Sequence, residues 1–211
     1  MRTLIVAAFI SLDGVMQAPG GPQEDTRGAF AYGGWIVPYA EAVFGQAMQA
    51  LFSQPFELLL GRRTYDIFAS YWPKVKDNTE DFSIANLFNS VPKHVATHSP
   101  DTLVWSNSHA LGSDVTGAVR ALKQQDGAAL LTQGSAELVQ QLLAADLVDE
   151  LHLLIHPLLL GHGRRLFGSD AAAAAFTLQH SQVSPKGVII ARYLRAGKVQ
   201  TGSFELPADE G

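Results

Sequence analysis

The chain contains no cysteine in 211 residues, which excludes disulfides, thiolate nucleophiles and cysteine-ligated zinc. Charge is also sparse, at 17% of the residues, so much of the surface must be covered, in a compact domain or an oligomer. Positive charge is the scarcer sign: 15 Lys and Arg stand against 20 Asp and Glu, a formal net charge of -5. Duplex binding rests on phosphate neutralisation and leaves a basic footprint, so nucleic acid is not an expected partner and any anion site must be local. Long apolar runs are missing, since nothing approaches the roughly 18 residues of a membrane span. The first residues, MRTLIVAAFISLDG, carry one cation and break at Ser11 and Asp13, unlike a signal peptide, and the expected location is cytoplasmic with no membrane partner. No G-x-S-x-G, H-E-x-x-H or P-loop pattern occurs, which leaves hydrolase and triphosphatase readings without support.

What is present is 47% hydrophobic residue arranged in short runs. Leu4–Ile10, Phe56–Leu60, Lys93–Thr97, Thr102–Trp105, Ala128–Thr132 and Glu150–Leu160 read as strands, the last holding Pro157. Helical spacing marks 38–52, 64–72 (stopped by Pro73), 114–125 (capped by Ser113 or Asp114) and the segment QGSAELVQQLLAADL, with Leu138, Leu142 and Leu143 as its apolar stripe. Phe176–Val183 and Val188–Leu194 form a pair joined by SPKG. Alternating strands and helices predict a three-layer α/β/α fold with a mostly parallel sheet and a C-terminal antiparallel pair. One domain over residues 1–196 and a tail over 197–211 are expected. The Gly- and Pro-rich stretch from Met16 to Trp35 is a long loop and a candidate lid.

A parallel sheet offers ligands the C-terminal ends of its strands, and three such ends carry suitable chemistry. In LLLGRRTYDIFASYWP, Gly61 permits close backbone approach, Arg62 and Arg63 offer planar forks for phosphate, and Thr64 can cap a helix. Surface pairing of the arginines with carboxylates is the competing explanation. In VATHSP, Thr97, His98 and Ser99 could hold a phosphate or ribose, or the serine could simply open a Ser-Pro turn. In TQGSAELVQQLL, Gly134, Ser135 and Ala136 present backbone N–H groups at a helix start, without the Rossmann glycine spacing.

With SLDG at residues 11–14 and VDELHLLIHPLLLGHGRRLF at 148–167, these motifs resemble the dihydrofolate reductase-like superfamily. The resemblance is stronger to the C-terminal reductase domain of the riboflavin-biosynthesis deaminase-reductase, and it covers nearly the whole chain. It implies NADPH as cofactor. Arg62, Arg63 and Thr64 would line its pyrophosphate and adenosine phosphate, Thr97, His98 and Ser99 its 2′-phosphate side, and Gly134, Ser135, Ala136, Glu137 and Leu138 its diphosphate. Ala7 and Ala8 would leave room for nicotinamide, or simply pack tightly. Asp13 is the implied substrate contact, beside the alternative that Asp-Gly only makes a turn, and Glu41, the one carboxylate on the first long helix, is the candidate for the helix carboxylate that helps protonate the pterin in folate reductases. The implied activity is reduction of a small-molecule substrate at a C=O or C=N carbon, most like 5-amino-6-(5-phosphoribosylamino)uracil reductase. The alternatives are a pterin-type reductase and a non-catalytic nucleotide-binding protein. The chain begins at the reductase strand, with no deaminase domain expected. A homodimer is implied, for which Leu151–Leu160 is either an edge or an interior strand.

His152 and His156 do not suggest a metal site, because four residues of strand separate them by roughly 13 Å. Trp35, Tyr39, Tyr65 and Trp72 are candidate stacking rings that also suit a core.

Overall fold

The computed structural model describes residues 1–75, 83–169 and 171–204. Its first strand, β1 (Leu4–Ser11), shows how the layers arise. Side chains alternate across a strand, and Leu4, Val6, Ala8 and Ile10 join one buried cluster while Ala7 joins another. The same division recurs in β2 (Phe56–Gly61), where Leu59 faces the first cluster and Leu58 and Leu60 the second. Such continuous apolar runs, buried on both faces, are what a parallel sheet under two helical layers requires.

One layer is α1 (Ala42–Phe52), α2 (Arg62–Tyr71) and α3 (Ile84–Ser90), which contribute Met48, Phe52, Tyr65 and Phe88 to the second cluster. The other is α4 (Val115–Gln124) and α5 (Ala136–Ala144), which contribute Val119, Leu138, Val139 and Leu142 to the first. The remaining strands are β3 (Lys93–Ala96), β4 (Ser108–Ala110), β5 (Ala129–Thr132), β6 (Glu150–His156), β7 (Ala175–Val183) and β8 (Ile189–Gly197). They form one eight-stranded sheet in the order β4-β3-β2-β5-β1-β6-β8-β7. Pairing is parallel from β4 to β6, and β8 runs antiparallel to both β6 and β7. The chain travels outward through β2, β3 and β4, then returns to insert β5 between β2 and β1, and lays β6 on the other side of β1. That reversal of direction is where an open α/β sheet leaves a crevice.

Several boundaries differ from the sequence expectation, each for a physical reason. The helix expected at 64–72 starts at Arg62 with Gly61 in the capping position, so Thr64 lies inside the first turn and does not cap it. The helix expected from Pro38 splits into a 3₁₀ turn at Val37–Tyr39 and α1. The strand expected at Thr102–Trp105 is absent. Pro100–Thr102 is a 3₁₀ turn, and the Trp105 N–H donates to the Tyr65 hydroxyl at 2.8 Å and not to a neighbouring strand. β4 is instead Ser108–Ala110, and its pairing with β3 is a tertiary contact that local propensity does not encode. α3 was not expected; the Ser83 hydroxyl accepts from the Asn86 N–H at 3.1 Å and caps it. β6 stops at His156 because Pro157 has no N–H for a ladder. It lies between β1 and β8, so the Leu151–Leu160 strand is interior, and the sheet edges are β4 and β7. Residues 198–204 carry no helix or strand, and the rest of the expected tail, 205–211, lies outside the described residues.

Candidate active site

A cleft of about 1250 Å³ opens where the C-terminal ends of β1, β2, β3 and β5 meet the start of α2, α4 and α5. Three helix N-termini therefore bring their unpaired N–H groups and positive dipole ends to one wall. The β2–α2 and β5–α5 turns touch: the Gly61 N–H donates to the Gly134 carbonyl at 3.1 Å. A Cβ on Gly61 would stand 2.3 Å from Ser135 Oγ and 2.8 Å from Ser135 N, so only glycine permits this approach.

The two arginines are held differently. Arg62 Nε donates to Asp66 at 2.9 Å, and its Nη1 donates to Thr97 Oγ1, the Ser99 carbonyl and Thr102 Oγ1. It thus ties α2 to the loop after β3. Arg63 has one distant ion pair, Nη2 to Asp25 at 3.6 Å, and a buried Nε with no partner among the described residues. Thr97 is buried and receives the Ser99 N–H at 3.1 Å, while His98 is exposed on the wall.

At the β5–α5 turn, Ser135, Ala136, Glu137 and Leu138 line the cleft, and Glu137 pairs with Arg164 at 2.8 Å. Ala7 and Ala8 of β1 line it as well. The structure thus brings together residues from all three strand ends that the sequence singled out. Gly134 and Ser99 stand behind the wall, each offering a carbonyl to a neighbour.

The two carboxylates expected to serve the reaction do not reach the wall. Asp13 accepts hydrogen bonds from Ser11 Oγ at 2.6 Å, the Leu160 N–H at 3.1 Å and the Gly161 N–H at 2.8 Å, and it pairs with Arg165 at 3.3 Å. Burial would raise its pKa, but the hydrogen bonds from Ser11, Leu160 and Gly161 outweigh it and hold the carboxyl at about 2. The SLDG turn is thereby locked to the PLLLGHGRRLF segment, which explains why both stretches are distinctive. Glu41 occupies the N-cap position of α1 without capping it and accepts from the Lys186 N–H at 3.3 Å.

Two further groups of residues line the wall. Gly112 to Thr116 line the cleft at the start of α4, where Asp114 caps the helix by accepting the Gly117 N–H at 2.8 Å. The cap was legible, but its place on the wall depends on β4, which the sequence put elsewhere. The other group is Met16 to Asp25, the first half of the expected lid. That loop is braced: the Gly34 N–H donates to the Ala18 carbonyl at 2.8 Å, and the Trp35 indole donates to the Gln17 carbonyl at 2.8 Å. A Cβ on Gly33 would lie 2.6 Å from both the Gly21 carbonyl oxygen and Pro22 Cα, so the GG pair of YGGW seats the GGP turn.

His152 and His156 lie on β6 with separate partners. His152 Nε2 is 2.9 Å from Glu150, whereas His156 is buried with Nδ1 3.0 Å from the Leu154 carbonyl and with Trp35 and Tyr39 set edge-on against its ring. Burial holds the pKa of both below the ordinary histidine value. Tyr65 is core, and Ile36, Phe44 and Met48 supply apolar wall. No helix among the described residues is long and apolar enough to cross a membrane.

The sheet order, its single reversed strand and the cleft at the strand ends define an α/β protein with the dihydrofolate reductase-like fold. The similarity extends to dihydrofolate reductase from Enterococcus faecalis, complexed with NADP(H), at TM-score 0.56 and 14% identity over 92% of this chain and 96% of that one. More narrowly, the chain belongs to the RibD C-terminal domain family, whose model matches residues 2–190, the reductase family that its motifs resemble. It is 25% identical over 166 residues, 79% of this chain and 80% of the relative, to the uncharacterized protein YyaP of Bacillus subtilis (strain 168). It superimposes at TM-score 0.59 on the diaminohydroxyphosphoribosylaminopyrimidine deaminase/5-amino-6-(5-phosphoribosylamino)uracil reductase of Thermotoga maritima, with 11% identity over 92% of this chain and 57% of that one.

Proposed function

We propose that the protein is an NADPH-dependent reductase acting at a C=O or C=N carbon of a heterocyclic or ribosylated small molecule, most like 5-amino-6-(5-phosphoribosylamino)uracil reductase. The observation that carries this reading is the meeting of three strand ends, at Gly61–Thr64, Thr97–His98 and Ser135–Leu138, on one cleft wall with three helix N-termini. Such an arrangement suits a ligand bearing several phosphates.

The residues present fit that cofactor. Arg63 keeps a buried donor without a partner among the described residues, and the absence of a side chain at Gly61 lets the β2–α2 turn approach the backbone and hydroxyl of Ser135. Arg63, Thr64 and the N–H groups at the start of α5 would hold phosphate, with His98 and Thr97 beside them. Arg62 fixes the Thr97–Thr102 loop that presents them. Ala7 and Ala8, lacking bulk, would leave space against β1 for a flat ring. When bound, the nicotinamide supplies two electrons and one hydrogen to the substrate carbon, while the protein supplies orientation and electrostatics. Asp13, held ionised in its turn, sets the geometry of the β1 exit and not the chemistry.

The position of Glu41 off the wall argues against pterin reduction in the manner of folate reductases, where a helix carboxylate serves the substrate. The absence of both expected carboxylates from the wall favours, as a second reading, a nucleotide-binding protein that keeps the fold without catalysis. A fluorescence titration with NADPH and NADH tests the cofactor, and NADPH is expected to bind at least about 10-fold more tightly, the equivalent of one extra charge-assisted contact. Equal affinities would remove the phosphate assignment. Oxidation of NADPH against a panel of pyrimidine, pterin and small carbonyl compounds tests catalysis, and binding without oxidation of any of them would select the second reading.

A further inference from the structure

Five carboxylates line the cleft: Glu24, Asp25, Asp66, Asp114 and Glu137. Four are committed. Asp25 pairs with Arg27 at 2.6 Å and Arg63 at 3.6 Å, Asp66 with Arg62 at 2.9 Å and Glu137 with Arg164 at 2.8 Å, while Asp114 caps α4. Glu24 is different. Its Oε2 accepts the N–H groups of Gly20 at 2.6 Å and Gly21 at 3.1 Å, and among the described residues it has no cationic partner. Its Oε1 makes no hydrogen bond among the described residues and is not fully buried, in a residue that lines the cleft.

We propose that Glu24 is the proton donor of the reduction, delivering a proton from Oε1 to the oxygen or nitrogen of the bond being reduced. This deepens the reductase reading and rests on it. Adding the nicotinamide's hydrogen and electron pair to carbon breaks the π bond and leaves a pair on the heteroatom, which must take up one proton. Glu24 forms that O–H or N–H bond as its own O–H bond breaks, remains as a carboxylate, and regains a proton from water.

Geometry favours the assignment on three counts. The two backbone N–H groups occupy Oε2, which leaves Oε1, without a hydrogen-bond partner among the described residues, as the oxygen free to carry the proton. The loop is pinned by the Gly33–Gly21 and Gly34–Ala18 contacts, so the carboxyl is held in place before substrate arrives. The charges around it also oppose ionisation: Asp25 is adjacent, and the nearby cations Arg27 and Arg63 are directed at Asp25. Burial first, and the Asp25 charge in addition, raise the pKa of Glu24 against the two amide hydrogen bonds, the direction a proton donor needs.

The test has two arms on the full chain. In the first, the protein carries ¹³C-carboxyl glutamate and is titrated by NMR without cofactor, the Glu24 signal being identified by its loss in Glu24→Gln. It is expected to titrate clearly above the ordinary glutamate value of about 4.3. In the second, Glu24→Gln, which keeps the size and can still accept the Gly20 and Gly21 N–H groups, is compared with wild type on the substrate found in the panel. A loss of about 10²–10⁴-fold in kcat is expected, with NADPH Kd unchanged, the decline of wild-type kcat at rising pH abolished, and partial recovery in Glu24→Asp. A protein that does not bind NADPH takes down the reductase reading and this proposal with it. One that binds NADPH, yet whose Glu24 titrates in the ordinary range or whose Glu24→Gln variant keeps full kcat, overturns the assignment of Glu24 alone.

Discussion

Arg62 and Arg63 are neighbours in the chain, and helical geometry turns them apart by about 100°. Arg62 donates to Asp66, Thr97, Ser99 and Thr102, so its guanidinium is committed to the protein. Among the described residues, Arg63 retains a buried Nε without a partner and only a long contact to Asp25. Their variants should therefore separate. Arg63→Ala is expected to weaken NADPH about 10–100-fold, in line with one charge-assisted phosphate contact, and NADH less, with little change in melting temperature. Arg62→Ala is expected to lower the melting temperature and weaken both nucleotides together, because it frees the β3 loop. Paired titrations and thermal melts check this, and identical behaviour of the two variants would contradict the division of labour. The sequence marked both residues, yet it could not separate them, since apart from Asp66 their partners come from residues 25 and 97–102.

At the scale of elements, the site depends on two strand–helix turns lying against each other. Gly61 makes that possible, because any side chain would overlap Ser135 backbone as well as its hydroxyl. Gly61→Ala should push the β2–α2 turn from the β5–α5 turn, costing about 1–3 kcal/mol as an overpacking change. For a chain of this size that is roughly 2–12 °C in melting temperature, with NADPH affinity falling at least about 10-fold. Unchanged affinity alongside a lowered melting temperature would mean that the two turns do not act jointly on the ligand. The helices and strands that carry a full apolar face were legible: β1, β2, β5, α4 and α5 lie where the spacing of their hydrophobic residues put them. β4 and α3 were not, because Ser108–Ala110 has no apolar pattern and becomes a strand only through its register with β3.

For the whole molecule, the tie between the SLDG turn and the segment after β6 closes the β1 end of the sheet over long sequence separation. Asp13 makes that tie with a pKa near 2 against 3.8 for the free group. Its folded value is depressed, so its stabilisation is complete above about pH 4 and is lost as pH falls toward 2, an amount of up to about 2 kcal/mol. His152 and His156, held below the ordinary 6.5 by burial, add to acid sensitivity, since the unfolded chain takes up their protons first as pH drops below 6.5. Asp13→Asn should accordingly be less stable than wild type at pH 7, and the gap should close between pH 4 and pH 2 in denaturant melts. A gap independent of pH over that window would show that the hydrogen bonds do not depend on the charge. NADPH affinity should be unaffected at neutral pH, because Asp13 lies off the cleft wall.

The amino-acid sequence by itself determined the fold class, the alternation of layers and the three strand ends that line the cleft, because hydrophobic periodicity, glycine turns and adjacent arginines are local signals. Which groups remain available was decided only by tertiary structure. Asp13, Glu41 and Arg62 have chemistry suited to a site and are engaged by partners far along the chain, whereas Glu24, inside a loop with no periodicity to mark it, is left on the wall without a cation among the described residues. Availability depends on the partners that distant residues supply, and those partners meet only when the sheet is assembled.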